Sequence, residues 1–198
     1  MGKRSLAAVF AALLLGVSGA VAARDTADVS EPLILVAKPE LRDQLYGSTI
    51  LVVTPLGGDQ HVGFIVNRPS TTRLGTVFPE HGPSQKIVDP VYLGGPTGSQ
   101  LIFAMVKRPD NPGGKSLPVM PGLFVAFDSE TVDRIIESEA DHARFMAGLV
   151  AWRPGELQAE IGAGAWYVLE PDPALVMRKP DGLWEELVRR SQQADNTI

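Results

Sequence analysis

The sequence predicts an α+β fold in a single domain, and three observations support this class. Short apolar runs typical of buried strands dominate the first half of the chain, beginning with residues 33–37. Segments in which apolar residues recur at helical spacing follow in the second half. No internal repeat or break in composition divides the 198 residues, and the absence of cysteine means that packing rather than cross-links must stabilise the core.

Strands are expected where three to six mainly apolar residues are bounded by proline, glycine or polar residues. The second and third of these runs are separated by Gly57 to Gln60, which suits a hairpin. The expected strands are Leu33–Ala37, Thr49–Thr54, Val62–Val66, Val91–Leu93, Leu101–Val106, Leu123–Phe127 and Ala165–Leu169. The segment Lys107–Pro118 contains three prolines and two glycines and is expected to be an irregular surface loop.

Four helices are expected after residue 127, because apolar residues there repeat three or four positions apart. Asp128, Asp141 and Asp181 are placed to cap the first, second and fourth helices, and Pro154 would end the second. The apolar positions of the four helices, in order, are Val132, Ile135 and Ile136; Phe145, Met146, Leu149 and Val150; Leu157 and Ile161; and Leu183, Trp184, Leu187 and Val188.

The first 23 residues have the layout of a secretory signal peptide. Lys3 and Arg4 precede an apolar run from Leu6 to Val17, and small residues follow. We expect cleavage after Ala22 or Ala23, which predicts a periplasmic or secreted protein without a membrane segment. The alternative is an uncleaved anchor, because the apolar stretch is close to the ~20 residues that span a bilayer.

The mature chain is predicted to be one acidic domain with short flanking segments. We assign the signal peptide to 1–22, a flexible leader to 23–32, the domain to 33–193 and a C-terminal tail to 194–198. Removal of the signal peptide, with its two basic residues, changes the formal net charge from −5 to −7. No basic tract remains that would displace counterions from a duplex, so nucleic acid is not an expected partner.

A polar cluster at the end of the third expected strand is the first candidate binding site. That strand runs into Asn67 and Arg68, and Gly94 and Gly95 follow a later strand. A guanidinium at the rim of a sheet can hold a carboxylate or phosphate through two hydrogen bonds, and glycine lets backbone N–H groups approach an anion. In the structural alternative, Asn67 caps a turn, Arg68 pairs with an acid and the glycines form a tight bend.

Two tryptophans form the second candidate. Trp152 and Trp166 bracket a short expected helix that contains Glu160. In one interpretation they are walls of a ligand cleft, with Glu156 or Glu160 as its polar anchor. In the other, both indoles pack onto the sheet. Core packing is favoured, because Trp152 continues the apolar face of the expected helix before it.

No catalytic residue, metal ligand or cofactor is assigned. The histidines are His61, His81 and His142, and none shows the spacing of a zinc site. The chain also has neither a Gly-x-Ser-x-Gly motif nor a phosphate-binding loop with its lysine. A hydrolase that uses groups distant in sequence, such as His81, Ser99 and Glu160, is the enzymatic alternative, because such groups meet only in the folded chain.

The order and spacing of many short pieces resemble the AlgH/YqgE family, a bacterial group whose biochemical role is largely undefined. The resemblance extends from about Leu33 to Val188. It implies a compact α+β domain with a mixed, partly barrel-like sheet surrounded by helices. The matching pieces are Leu35–Ala37 with Pro39, Leu41 and Asp43; Ser48; Gly63–Pro69; Leu93–Pro96; Pro121–Leu123; Gly148; Ala151-Trp152; Gly155–Leu157; Glu160; and Trp166.

The chain also departs from the family pattern. Thr54-Pro55 and Lys107-Arg108 stand where the family tends to have histidines, and Glu156 and Gln158 exchange the usual amide and acid. The signal peptide is a further departure, since most relatives look cytoplasmic. Some relatives are named as transcriptional regulators, but this chain has no helix-turn-helix pattern and no basic face. We therefore expect an exported, non-catalytic domain that binds a protein or a small anionic ligand.

Overall fold

The computed structural model describes residues 28–195, and its strands form one curled, mixed half-barrel sheet. The strands are β1 Leu33–Ala37, β2 Ile50–Gly57, β3 Gln60–Ile65, β4 Pro69–Arg73, β5 Pro90–Leu93, β6 Thr97–Lys107, β7 Ser116–Met120, β8 Leu123–Ala126, β9 Ala143–Trp152 and β10 Trp166–Leu169. This architecture confirms the α+β class and the partly barrel-like sheet. The predicted signal peptide, residues 23–27 of the leader and residues 196–198 of the tail lie outside the described residues.

The main path of the sheet runs β10-β1-β2-β3-β9-β6-β8-β7. Neighbours on this path are antiparallel, whereas β5 pairs in parallel with β9 and antiparallel with β4. The helices that surround the sheet are α1 Leu74–Val77, α2 Ser129–Ser138, α3 Glu156–Gly162, α4 Pro173–Val176 and α5 Leu183–Asp195. Two single 3₁₀ turns, Gly82–Lys86 and Ala140–His142, precede β5 and β9.

Alternating side chains divide the apolar residues among three clusters, because successive residues of a strand face opposite sides of the sheet. In β1, Ile34 and Val36 belong to an inner core that α4 and α5 cover, and Leu35 belongs to a second cluster beneath α3. We call these the inner core and the α3-side core. A third cluster, the α2-side core, contains Phe145 of β9 together with Ile135 of α2.

All seven predicted strands are present, and α2, α3 and α5 confirm three of the predicted helices. Asp128 caps α2 as expected, because its carboxylate accepts the backbone N–H of Thr131 at 3.0 Å. The loop predicted for Lys107–Pro118 is irregular only at residues 108–115, since Lys107 ends β6 and residues 116–120 form β7. β7 pairs with β8 alone and is an edge strand, which is a position where Pro118 is tolerated.

The prediction of a helix after Asp141 is wrong, because residues 143–152 form strand β9. β9 pairs with β3, β5 and β6 and has neighbours on both of its edges and both of its faces. A strand buried on both faces carries consecutive apolar residues, which here imitate helical spacing. Gly148, with φ of 75°, interrupts the alternation, so Met146 faces the inner core and Val150 faces the α3-side core.

Candidate functional site

Asn67 stands just after β3, and its amide group is used inside the protein. The Asn67 Oδ1 accepts the backbone N–H of Ile50 at 2.8 Å, and Nδ2 donates to the carbonyl of Ser48 at 2.9 Å. Ser48 has a positive φ of 58°. This conformation costs free energy for a residue other than glycine, so contacts with the surrounding structure must offset that cost. Asn67 therefore stabilises the turn that leads into β2.

Arg68 is half-buried and directs its guanidinium at the same turn. Its Nη1 donates to the carbonyl of Leu45, and its Nη2 donates to the carbonyl of Gly47 at 3.3 Å. Both acceptors are backbone groups of the loop before β2, so the predicted partner, an acidic side chain, is replaced by peptide carbonyls. The guanidinium thereby fixes this loop against the end of β3.

Gly94 and Gly95 lie where the chain passes β9 at backbone-to-backbone distance. The Gly94 N–H donates to the carbonyl of Ala147 at 2.8 Å, and the Gly94 carbonyl accepts the N–H of Ile65 at 2.9 Å. A Cβ on Gly94 would lie 2.3 Å from the carbonyl oxygen of Gly148, and one on Gly95 would lie 2.3 Å from the backbone of β9. The glycines are therefore needed for this close approach, and the Gly94 N–H already has an acceptor.

These contacts favour the structural alternative for the first candidate site. The side-chain amide of Asn67, both terminal nitrogens of Arg68 and the N–H of Gly94 have internal partners, and Gly95 lies against β9. A ligand at this place would compete with bonds that hold the loop and the sheet together. Ligand binding by these four residues stays a prediction.

The second candidate site is folded into the α3-side core. Trp152 is 3% exposed and Trp166 is 4% exposed, and between them lies Glu160, at 6%. The indole N–H of Trp166 donates to Glu160 Oε2 at 3.1 Å. Trp152 reaches this core from β9 rather than from a helix, and both indoles pack on the sheet, as the core-packing interpretation requires.

A tyrosine missed at the sequence level completes this group. The ring of Tyr46 contacts that of Trp166 edge to face, with centroids 6.4 Å apart. The Tyr46 hydroxyl and the Trp152 indole nitrogen are buried and lack a partner that meets hydrogen-bond geometry. We call Tyr46, Trp152, Glu160 and Trp166 the Glu160 cluster.

Burial disfavours the charged forms of both acids in the Glu160 cluster. It raises the pKa of the Glu160 carboxyl, the nearby indole N–H groups of Trp152 and Trp166 lower it by less, and the charge of Glu156 raises it further. Burial also raises the pKa of the Tyr46 hydroxyl, and the neighbouring Glu160 and Asp43 carboxylates add to that shift. A carboxyl group in these surroundings favours its neutral form.

The groups of the hydrolase alternative have separate neighbours. His81 Nδ1 lies 2.7 Å from Ser84 Oγ, and Nε2 lies 3.8 Å from a carboxylate oxygen of Glu137, a series that superficially matches a serine triad. Ser84, however, is completely buried, so its hydroxyl cannot meet a substrate in this conformation. Glu160 contacts Trp166 in the α3-side core, and Ser99 lies on an exposed part of β6.

An open groove lies between the end of β6 and the turn that follows α2. Its volume is about 510 Å³. The residues that line it are Lys107, Arg108, Pro109, Asp110, Glu139 and His142. We call it the Arg108 groove. The sequence did not predict a binding site here. The only signal was that Lys107-Arg108 departs from the family pattern.

Arg108 spans this groove between two carboxylates. Its Nη1 donates to Glu139 Oε1 at 2.8 Å, and its Nη2 makes a longer bond of 3.3 Å to Asp110 Oδ2. The Nε–H is buried and has no hydrogen-bond partner. The side chain of Asp110 is 73% exposed, whereas that of Glu139 is only 27% exposed. One edge of the guanidinium is therefore firmly anchored, and the edge formed by Nε and Nη2 is under-used.

Neither a metal centre nor a membrane span is found in residues 28–195. Their His, Asp and Glu side chains form no group of three or more that could hold a metal ion. No helix in this range is long and apolar enough to cross a membrane.

Comparison with known proteins places the whole domain in one family. The model of the DUF179 family, described as AlgH-like, matches residues 34–195. A UPF0301 protein of Thermobifida fusca is 34% identical over 170 residues, which cover 79% of this chain and 84% of that protein. A UPF0301 protein of Streptomyces coelicolor is 26% identical over 164 residues, or 80% of this chain and 85% of that protein.

Solved structures share the fold at lower sequence identity. The solution structure of the AlgH protein from Pseudomonas aeruginosa is 20% identical, with a TM-score of 0.68, and the match covers 86% of this chain and 93% of that one. An X-ray structure of a Corynebacterium diphtheriae protein is 21% identical, with a TM-score of 0.66, and covers 81% and 86%. With the family model matched over almost all described residues, the chain belongs to the AlgH-like family.

Proposed function

We propose that this protein is an exported, non-catalytic binding domain that holds an anionic ligand in the Arg108 groove. The ligand carries a carboxylate or a phosphate, either as a small molecule or on the surface of a protein partner. The observation that carries this proposal is the under-used edge of the Arg108 guanidinium in an open groove.

The chemistry of guanidinium recognition supports this choice of ligand. Two adjacent N–H groups of arginine match the two oxygens of a carboxylate or phosphate, and such paired bonds are among the stronger hydrogen bonds in proteins. Arg108 has such a pair in Nε and Nη2, since Nε has no partner and Nη2 makes only the long bond to the exposed Asp110. Displacement of Asp110 by a ligand anion would complete both bonds while Glu139 keeps the guanidinium oriented.

The rest of the groove supports an anion of modest size. Lys107 adds a second cation beside Arg108, and His142 provides imidazole nitrogens on the wall formed by the turn after α2. Pro109 contributes apolar surface. Small-molecule sites typically combine such apolar surface with a few polar groups that orient the ligand.

The proposal is tested by titrating citrate, inorganic phosphate and a short acidic peptide into the mature protein by calorimetry. Arg108→Ala and Arg108→Lys should each weaken binding of the best of these ligands about tenfold or more, equal to about 1.4 kcal/mol. Lysine keeps the charge but lacks the paired donors, so a loss in both variants identifies two-point recognition. Arg178→Ala is the matched control, because Arg178 also pairs with a glutamate but lies outside the groove.

Two outcomes would contradict the proposal. Unchanged affinity in Arg108→Ala would remove the groove as the binding site, and no binding of any of the three anions to the wild type would remove the ligand class. Export is checked separately by the intact mass of protein from the periplasmic fraction, which should begin at Ala23 or Arg24. Protein that keeps Met1 and stays in the cytosol would contradict it.

A further inference from the structure

Helix α3 is a short segment between two glycine turns. It contains seven residues, and Gly155 before it and Gly164 after it have positive φ values of 80° and 78°. Glycine adopts this backbone conformation at little cost, so both junctions can change direction more easily than other residues allow. Only Leu157 and Glu160 of the helix are buried. The apolar Leu157, the carboxyl group of Glu160 and the partly buried Ile161, which packs against the same core, therefore hold α3 on the sheet.

The carboxyl group of Glu160 is buried among apolar side chains that several strands contribute to the α3-side core. The side chains beneath it are Trp152 of β9 and Trp166 of β10, and neighbouring residues of this core include Leu35 and Leu51. The Trp166 indole donates one hydrogen bond of 3.1 Å to the carboxylate, and the Trp152 indole lies near it outside hydrogen-bond geometry. No salt bridge to Glu160 is present among the described residues.

The acidic groups around Glu160 do not favour a negative charge on it. The loop before β2 contributes the Tyr46 hydroxyl and the Asp43 carboxylate, and α3 itself contributes Glu156, which is paired with Arg153. β3 contributes His61, opposite Trp152 in the ladder, whose Nε2 donates to the carbonyl of Val29 at 2.7 Å. A charged Glu160 would be stabilised mainly by indole N–H groups, whereas water stabilises it far better.

We infer that α3 is a pH-dependent flap, which lies closed over the Glu160 cluster while Glu160 is protonated and opens more often once Glu160 is charged. In the open state the carboxylate reaches water, and the rings of Trp152, Trp166 and Tyr46 become accessible. Opening would thus create the aromatic cleft that the sequence suggests and that the closed structure lacks. The flap and the Arg108 groove are separate parts of the molecule, so either can exist without the other.

The direction of the pH effect follows from the raised pKa of Glu160 in the closed state. Closing takes up a proton over the range between the ordinary pKa of a glutamate and the raised one. The closed state is therefore most favoured at low pH, loses stability as the pH rises through that range, and changes no further above it.

Hydrogen exchange of the mature protein, read by mass spectrometry on peptides that cover residues 155–165, tests the flap. Protection factors, corrected for the intrinsic effect of pH, should fall several-fold in the wild type from acidic to neutral pH. Glu160→Gln keeps the shape without the charge, so its protection should stay high and nearly independent of pH. Glu170→Gln, a change of the same kind at an exposed position just after β10, is the matched control and should behave as the wild type.

A second measurement keeps the test decisive if Glu160→Gln perturbs the fold. The carboxyl ¹³C shift of Glu160 in the wild type should titrate with the same midpoint as the loss of protection in residues 155–165. Different midpoints, wild-type protection that does not change with pH, or an unaltered pH dependence in a folded Glu160→Gln variant would each overturn the flap.

Discussion

Arg68 and Arg108 both stand shortly after a strand, but the protein uses their guanidinium groups differently. Arg68 donates to two backbone carbonyls of one loop, whereas Arg108 is anchored by Glu139 at one edge and keeps a buried Nε–H without a partner at the other. Backbone carbonyls cannot move away without unfolding the loop, but the exposed Asp110 side chain can rotate away from Arg108. We propose that this difference, rather than position at a strand end, makes Arg108 a binding residue and Arg68 a structural one.

Arg144 is the extreme case of the structural kind. It is 8% exposed, and its guanidinium donates to the carbonyls of Val66, Val176 and Arg178 at 2.6, 2.7 and 2.8 Å. The guanidinium carbon lies 4.2 Å from the ring centroid of Tyr92, within the range of a cation–π contact. Burial lowers the pKa of this guanidinium. The three carbonyl acceptors and the ring of Tyr92 oppose this effect, because they stabilise the positive charge.

The largest expected effect is therefore at Arg144. Arg144→Ala would leave three carbonyls without their donor and open space beside Tyr92, so the free energy of unfolding should fall by about 3–5 kcal/mol. Urea unfolding followed by circular dichroism measures this change. Arg189→Ala on the exposed face of α5 is the control and should alter stability by less than about 0.5 kcal/mol. An equally small effect at Arg144 would refute its structural role.

A smaller loss is expected at Arg68. Arg68→Ala removes two hydrogen bonds to the loop before β2, which should reduce the free energy of unfolding by about 1–3 kcal/mol. Affinity for citrate or phosphate should be unchanged, because the site is proposed to lie elsewhere. If the variant instead keeps its stability and loses anion binding, the site predicted from the sequence is restored and the comparison of the two arginines is reversed.

The smallest change in stability is expected at Arg108. Its side chain is 22% exposed and its ion pairs involve partly exposed carboxylates, so Arg108→Ala should alter the free energy of unfolding by no more than about 1 kcal/mol. The same variant is expected to show the greatest loss of anion affinity. Thermal unfolding with and without the best ligand separates the two effects, and a stability loss as large as that at Arg144 would identify Arg108 as structural.

Local sequence patterns predicted most strands correctly. They failed for β9, where the same apolar pattern fits either a helix or a strand buried on both faces. The runs that became β1 and β2 are mainly apolar and too short for helices, so burial in a sheet was the natural interpretation. In β9, Phe145, Met146, Leu149 and Val150 match a helical pattern equally well. Whether this segment forms a helix or a strand depends on pairing with β3, β5 and β6, which are distant in sequence.

The same reason limits the prediction of sites. A sequence shows that Arg68 and Arg108 exist and roughly where strands end, but all their partners except Asp110 are 21 to 31 positions away. Glu160 was proposed from the sequence as a ligand anchor between two tryptophans, and in the structure it accepts the indole N–H of Trp166. Tyr46 was missed because the loop that carries it reaches the α3-side core only in the folded chain. No local sequence pattern indicates which hydrogen-bond donors of an arginine lack a partner in the folded protein.

By itself the sequence determined the fold class, most of the strands, three of the helices and the resemblance to the AlgH-like family. The fold class and the elements follow from the period of apolar residues and from local turn and capping chemistry, which act over a few residues. The resemblance rests instead on the order and spacing of many short sequence pieces. Only the tertiary structure decided that residues 143–152 are a central strand, that Glu160 is buried in the α3-side core, and that Arg108 keeps a buried Nε–H without a partner. Those outcomes depend on long-range packing and hydrogen-bond partners, which the folded backbone alone brings together.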